Sequence, residues 1–178
     1  MSKEIYFYRF LVNSQVFFCS KFTYALVNLK PLVPGHVLVV PYRTSVLRFA
    51  DLTTDESIDY MNTLQLVHKF IINVYKADAL NIAIQDGPES GQSIPHLHTH
   101  LIPRYKSDTW GDDIYQKIQD IDLEALYDQF HMRKAAFQKN PVNELALPDE
   151  RRHIRTPLEM ETEANWLKLE LEKFYRNQ

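Results

Sequence analysis

The chain has 178 residues, 45% hydrophobic and 12% aromatic, which is enough for one sizeable core and points to a single domain over 1–178. Twenty Lys and Arg stand against 23 Asp and Glu, a formal net charge of −3, which argues against a general nucleic-acid binder because such proteins carry a basic footprint. Cys19 is the only cysteine, so no intrachain disulfide forms, and no apolar run reads as a signal sequence or a membrane span; the expected location is the cytosol, with the nucleus second.

Short strand patterns come first, over 5–11, 16–19, 23–28 and 36–41. Cys19 follows Phe17 and Phe18 and reads as a buried structural thiol. The pair Thr53 and Glu56 forms a capping box that starts a long helix. Ile58, Met61, Leu64, Val67, Ile71 and Val74 give that helix an apolar stripe to lay on the sheet, and His68 beside the stripe reads as structural. Residues 79–85 alternate Leu80, Ile82 and Ile84 with Asn81, Ala83 and Gln85, a half-buried strand ending in an amide.

The turn over 86–93 holds two of the chain's four glycines, Gly87 and Gly91. Glycine allows tight backbone turns that aim N–H groups at an anion, although the same composition also makes ordinary hairpin loops. His96, His98 and His100 follow at alternate positions and lead into Leu101, Ile102, Pro103 and Arg104. On a strand all three imidazoles would project from one face, with Leu97, Thr99 and Leu101 on the other. Residues 106–155 read as an extended, partly disordered insertion, with an amphipathic helix over 121–137 and a polar stretch over 140–155 interrupted by Pro141 and Pro148. A second capping box, Thr156 with Glu159 and Pro157 at the first helical position, opens a C-terminal helix over 156–176. Its Met160, Ala164, Leu167, Leu171 and Phe174 suit packing on its own sheet better than a coiled coil.

Three chemistries compete for the histidine row. One metal ion is disfavoured: at roughly 3.3 Å per residue the outer imidazoles start about 13 Å apart, too far for bonds of about 2 Å to a common tetrahedral ion. No protein-bound zinc is therefore expected. A solvated strand edge would seldom place three histidines in register. Nucleophilic or acid–base chemistry on an anionic substrate fits best, because imidazole is neutral and nucleophilic near pH 7 and also donates hydrogen bonds to phosphate. Arg104, closing the strand, could screen negative charge or simply be solvated.

The run from His96 to Ile102 resembles the signature of the histidine-triad nucleotide hydrolases and transferases, departing from it only at Thr99, where the family has an apolar residue. Gln85 to Glu89 with Gly91 and Gln92, Ala25 to Asn28, and Pro34 to Leu38 are similar to the fragile-histidine-triad branch, the dinucleoside triphosphate hydrolases. The exchange at Thr99 should affect packing rather than chemistry, since that side chain faces away from the imidazoles.

The resemblance implies an α+β histidine-triad fold: an antiparallel sheet with a long helix packed on it and a C-terminal helix. It implies attack by His98 on the α-phosphorus of a substrate such as diadenosine triphosphate, giving a nucleotidyl-histidine that water releases as AMP. His100 would contact phosphates and help the leaving group, His96 would support the nucleophile, and Gln85 would complement developing charge. Gln92 and Ser93, with backbone N–H groups over Gly91 to Ile94, would bind phosphate oxygens. Asn28 resembles the ribose-binding residue, His36 a histidine behind the triad, and Tyr115 the tyrosine of a flexible loop near the substrate. Mg²⁺ or Mn²⁺ would come with the substrate phosphates. A homodimer with the two sheets joined is also implied. A phosphoramidate or adenylyl hydrolase of the same family and a nucleotide-loaded signalling protein are the alternatives.

Overall fold

The computed structural model describes residues 3–109, 111–128 and 154–176. The apolar runs become five antiparallel strands: β3 (Val16–Cys19), β4 (Thr23–Val27), β5 (Val37–Pro41), β6 (Ala79–Ile84) and β7 (Thr99–Arg104). The sheet order is β3-β4-β5-β7-β6. β4 and β5 are buried along their whole length, as expected of strands covered on both faces.

The first segment departs from the single strand expected over 5–11. It folds back as a short hairpin, β1 (Tyr6–Phe7) and β2 (Phe10–Leu11), with Phe7 opposite Phe10. Tyr8 takes φ +57°, a left-handed conformation that lets the turn close without a glycine. Cys19 is exposed at the end of the edge strand β3, not buried.

The Thr53–Glu56 box caps α1 (Thr54–Tyr75): the Thr53 hydroxyl accepts the Glu56 N–H and the Glu56 carboxylate accepts the Thr53 N–H. Arg43 grips the same carboxylate with two nitrogens, at 2.8 and 2.6 Å. The buried face of α1 is rotated from the expected stripe. Tyr60, Thr63, Leu64, Val67, Phe70 and Ile71 are buried, whereas Ile58 and Met61 are exposed. The aromatic residues decide this: Tyr60 reaches the sheet and Phe70 packs on Phe17 and Phe174.

α4 (Pro157–Arg176) lies beside α1, burying Met160, Ala164, Leu167 and Leu171. The described part of 106–155 contains α2 (Asp113–Gln119) and α3, which is described over 123–128. Residues 129–153, including the rest of the expected 121–137 helix and the stretch around Pro141 and Pro148, lie outside the described residues. No helix among the described residues is long and apolar enough to cross a membrane.

Candidate active site

Strand pairing begins only at Thr99, which faces Val39 on β5 and Ile84 on β6. His100 therefore sits on β7, while His96 and His98 lie just before it rather than on a continuous strand. The reason is that β6 ends at Ile84 and the partner register on β5 ends at Val39; upstream, the Leu97 N–H bonds to Val46 O instead. Alternation on β7 still sorts the faces. The Thr99 hydroxyl pairs with Tyr60 on α1 at 2.8 Å and Leu101 enters the main core. Ile102, on the face shared with His100, packs under Ile114 and Ile118 of α2. Thr99 thus supplies a packing hydrogen bond away from the imidazoles.

The hydrogen bonds assign a proton to each buried ring. His98 Nδ1 lies 2.8 Å from the His96 carbonyl, which can only accept, so the proton is on Nδ1 and Nε2 carries a bare lone pair. The Leu32 N–H donates to His36 Nδ1 at 3.1 Å, which puts the neutral His36 proton on Nε2. That nitrogen is 2.9 Å from His100 Nδ1, so His100 accepts there and bears its own proton on Nε2. The Tyr8 N–H donates to His96 Nδ1 at 3.0 Å, with the same consequence for His96. The Nε2 atoms of His96, His98 and His100, and that of Gln85, are buried without a hydrogen-bond partner. One bare nucleophilic nitrogen on His98, together with the His100 and Gln85 N–H groups that lack acceptors, is what an entering phosphate would satisfy.

Burial holds all four rings neutral. His36 is pushed down to about 3 by burial, then by the Arg155 guanidinium, and a proton on His98 would oppose one on His36 as well. His96 is pushed down to about 4 by burial and by His98, against the Pro41 and Arg43 carbonyls. Burial lowers His98 against the pull of the His96 carbonyl, and lowers His100 further with help from His98 and His36.

Gln85 follows β6, and Gly91 lies against its amide: a Cβ on Gly91 would stand 2.7 Å from Gln85 Nε2, and φ is +89° there. Three residues of the loop, Gly91, Gln92 and Ser93, already have partners. The Gly91 and Gln92 N–H groups donate to Pro88 O and Gly87 O inside the turn, so they are not the free anion donors expected. The Gln92 amide donates to Leu47 O, and Ser93 Oγ accepts the Leu123 N–H. Ile94 is buried and its carbonyl accepts the His96 N–H. Asn28, just after β4, lies against the His36 ring, and its Oδ1 accepts the Lys30 N–H.

Tyr115 stands on α2 rather than on a loop. Because Ile114 faces inward, its neighbour Tyr115 faces outward, 50% exposed, with its hydroxyl 3.3 Å from Asn81 Nδ2. Arg104 is held by a two-nitrogen pair to Asp108 and by Asn81, so it is neither solvated nor free to screen a substrate. Among the described residues no group of three or more His, Cys, Asp and Glu is arranged to hold a metal ion.

Several participants have no local signature. The Phe7 ring contacts both His96 and His98, with centroids at 5.7 and 5.3 Å, and Tyr127 backs Phe7. Tyr8 reaches His96 across 88 positions. Tyr6, Phe7, Tyr8 and Phe10 crowd the start of the chain, but no period or spacing ties them to the histidines.

A family model, the HIT domain, matches residues 10–107. The chain is 49% identical to bis(5'-adenosyl)-triphosphatase of Saccharomyces cerevisiae, covering 98% of this chain and 95% of that protein. It is 44% identical to the asymmetrical bis(5'-nucleosyl)-tetraphosphatase of Schizosaccharomyces pombe over 94% of each. Among solved structures it is similar to the Plasmodium falciparum diadenosine triphosphate hydrolase in complex with cyclomarin A, at 26% identity and TM-score 0.68, covering 97% of this chain and 87% of that one. With more than half of its length inside the family model, and near-full-length identity to these relatives, the chain belongs to the HIT-domain family.

Proposed function

We propose that this protein hydrolyses dinucleoside polyphosphates, with diadenosine triphosphate cleaved to AMP and ADP through a nucleotide held covalently on His98. The observation that carries the reading is the bare, buried Nε2 of His98, whose proton is fixed on Nδ1 by the His96 carbonyl. Nε2 attacks the α-phosphorus, an N–P bond forms, and the bond to the bridging oxygen breaks with its electron pair leaving on ADP. His100 Nε2–H and the Gln85 amide are the donors available to the phosphoryl and leaving oxygens. Water then breaks the N–P bond, its oxygen going to phosphorus and its proton to solvent. Most of the catalysis is positioning and electrostatics, as phosphoryl transfer requires.

Asn28 would meet the ribose, Ser93 would exchange Leu123 for a phosphate oxygen, His96 would support His98, and His36 would hold His100. Gln92 and Tyr115 would contact substrate only after leaving Leu47 and Asn81. Mg²⁺ or Mn²⁺ would be carried by the phosphate oxygens, which bind such ions without a dedicated protein cage; among the described residues no His, Cys, Asp and Glu group of three or more is arranged to hold one. The two relatives named for triphosphate and tetraphosphate cleavage support the substrate class. The homodimer belongs to this proposal, supported by the open edge of β6 with Ile82 exposed and tested by light scattering. So does residence in cytosol or nucleus, supported by the free thiol of Cys19 and tested by imaging a tagged chain.

The test is product analysis with diadenosine triphosphate and Mg²⁺, comparing the wild type with His98→Ala. AMP and ADP from the wild type, with turnover and covalent label both lost in the variant, are expected. Binding by both proteins with cleavage by neither would overturn the hydrolase reading and turn attention to the nucleotide-loaded state as the output.

A further inference from the structure

The C-terminal helix lies beyond the matched HIT domain, yet its first residues are tied to the loop that feeds the triad. Arg155, just before α4, donates its backbone N–H to Leu29 O at 3.1 Å and a guanidinium N–H to Asn28 O at 3.4 Å. The same guanidinium pairs with Glu163 one helical stretch later. Both partners are shielded, with side chains 16% and 15% exposed. Glu163 also accepts the Tyr75 hydroxyl at 2.8 Å. Tyr75 in turn presses on Gly35, where an added Cβ would meet its ring at 2.7 Å.

Arg155 and Tyr75 therefore touch loop 28–36 at both ends, Arg155 at Asn28 through its guanidinium and at Leu29 through its backbone N–H, and Tyr75 at Gly35, while Glu163 joins the two. Between those ends lies Leu32, whose N–H sets the His36 tautomer, and at the far end is His36 itself, which donates to His100. A mostly buried ion pair is costly to maintain unless its geometry is good and its remaining hydrogen bonds are met. Here the guanidinium donates onward to Asn28 O in the loop that carries His36, and the Glu163 carboxylate accepts the Tyr75 hydroxyl.

We propose that Arg155, with Glu163 and Tyr75, is a positioning residue of the hydrolytic site: it clamps loop 28–36 so that His36 holds His100 with its Nε2–H facing the substrate phosphates. The inference rests on the hydrolase reading above for its kinetic consequence, but not for its structural one. The Arg155 charge also opposes protonation of His36, which keeps the ring in the neutral form that the relay uses.

The experiment compares Arg155→Ala and Arg155→Lys with His36→Ala and the double variant Arg155→Ala/His36→Ala. Expected is a fall in kcat of about 10-fold or more for Arg155→Ala, as small misplacements of reacting groups produce, larger than any rise in KM. Lys, which keeps the charge but not the planar fork, should recover part of it. The double variant should be no slower than His36→Ala, because residues acting through one another are not additive. Nitrogen-15 imidazole spectra give a readout free of turnover: the His36 and His100 signals should shift in Arg155→Ala. Unshifted signals with additive kcat effects would overturn the proposal. A wild type that binds diadenosine triphosphate without cleaving it, with the imidazole signals nevertheless shifting, would overturn the hydrolase reading and leave the clamp standing. If Arg155→Ala does not fold, Arg155→Lys and Tyr75→Phe carry the same comparison.

Discussion

His36 Nε2 and His100 Nδ1 stand 2.9 Å apart, and the proton between them belongs to His36 because the Leu32 N–H already fills its other nitrogen. His100 is thereby obliged to keep its own proton on Nε2. Replacing His36 by Phe removes the donor and frees His100 to move its proton to Nδ1, where it no longer serves the substrate. The expected result is a fall in kcat of about 10- to 100-fold, the scale of a lost acid–base or positioning contribution. Steady-state kinetics check this, and an unchanged kcat would mean that His100 does not act as a donor.

Stability should depend on pH with a definite sign. A histidine whose folded pKa lies below its unfolded value takes up a proton on unfolding between the two values. Unfolded histidine titrates near about 6.5, whereas His36 and His96 are lowered to about 3 and about 4, and His98 and His100 are lowered too. Stability from these rings is therefore complete above about pH 6.5 and is lost as pH falls toward the folded values. Glu56, held at about 2 mainly by Arg43, adds a loss of the same sign at lower pH. Melting temperatures measured from pH 8 down to pH 4.5 should fall below pH 6.5; a flat profile would contradict the neutral buried cluster.

The opposite face of β7 offers a mutation that should spare chemistry. The Tyr60 hydroxyl contacts Val39 O at 2.9 Å and Thr99 Oγ1 at 2.8 Å, all buried. Tyr60→Phe leaves both oxygens poorly satisfied, at a cost of about 1–3 kcal/mol. Adding Thr99→Val removes one of those groups, so the double variant should lose less than the two single losses summed. Urea unfolding measures the cycle, and kcat should stay within about 3-fold of the wild type because these atoms face away from the histidines.

What could be read in advance follows the range of each interaction. The Thr53–Glu56 and Thr156–Glu159 boxes are short patterns enforced by local hydrogen bonds, and both close as expected. The strands β4 and β5 announce themselves as apolar runs because they are covered on both faces. By contrast, the face of α1 turned on where Tyr60 and Phe70 find partners in the sheet and α4, which periodicity alone does not weigh. The row of three histidines is visible in the sequence, but not the Tyr8 N–H that fixes His96, the Leu32 N–H that fixes His36, or the Phe7 ring against His96 and His98. Backbone donors carry no residue signature, and contacts across 88 positions leave no period. The partners of Arg104 and of the Gly91 and Gln92 N–H groups escape the sequence for the same reason: a donor's type is visible there, whereas its engagement is not.

Gly91 supplies the last test because two constraints meet there. Its φ of +89° disfavours any side chain, and a Cβ would stand 2.7 Å from Gln85 Nε2 and 3.2 Å from Gln119 Cγ. The folding penalty for Gly91→Ala should be about 1–2 kcal/mol, the scale of a left-handed backbone in an L-residue, since the Gln85 amide is the far end of a flexible chain and can yield. That yielding moves the unpartnered Gln85 donor away from where it would meet the phosphoryl group. We expect kcat to drop by about 10- to 100-fold, somewhat less than the loss of a whole oxyanion donor. Gly91→Ala added to Gln85→Ala should then slow the enzyme little further. A Gly91→Ala protein with a lowered melting temperature but full kcat would show that Gln85 does not need its present position, and would remove it from the reaction.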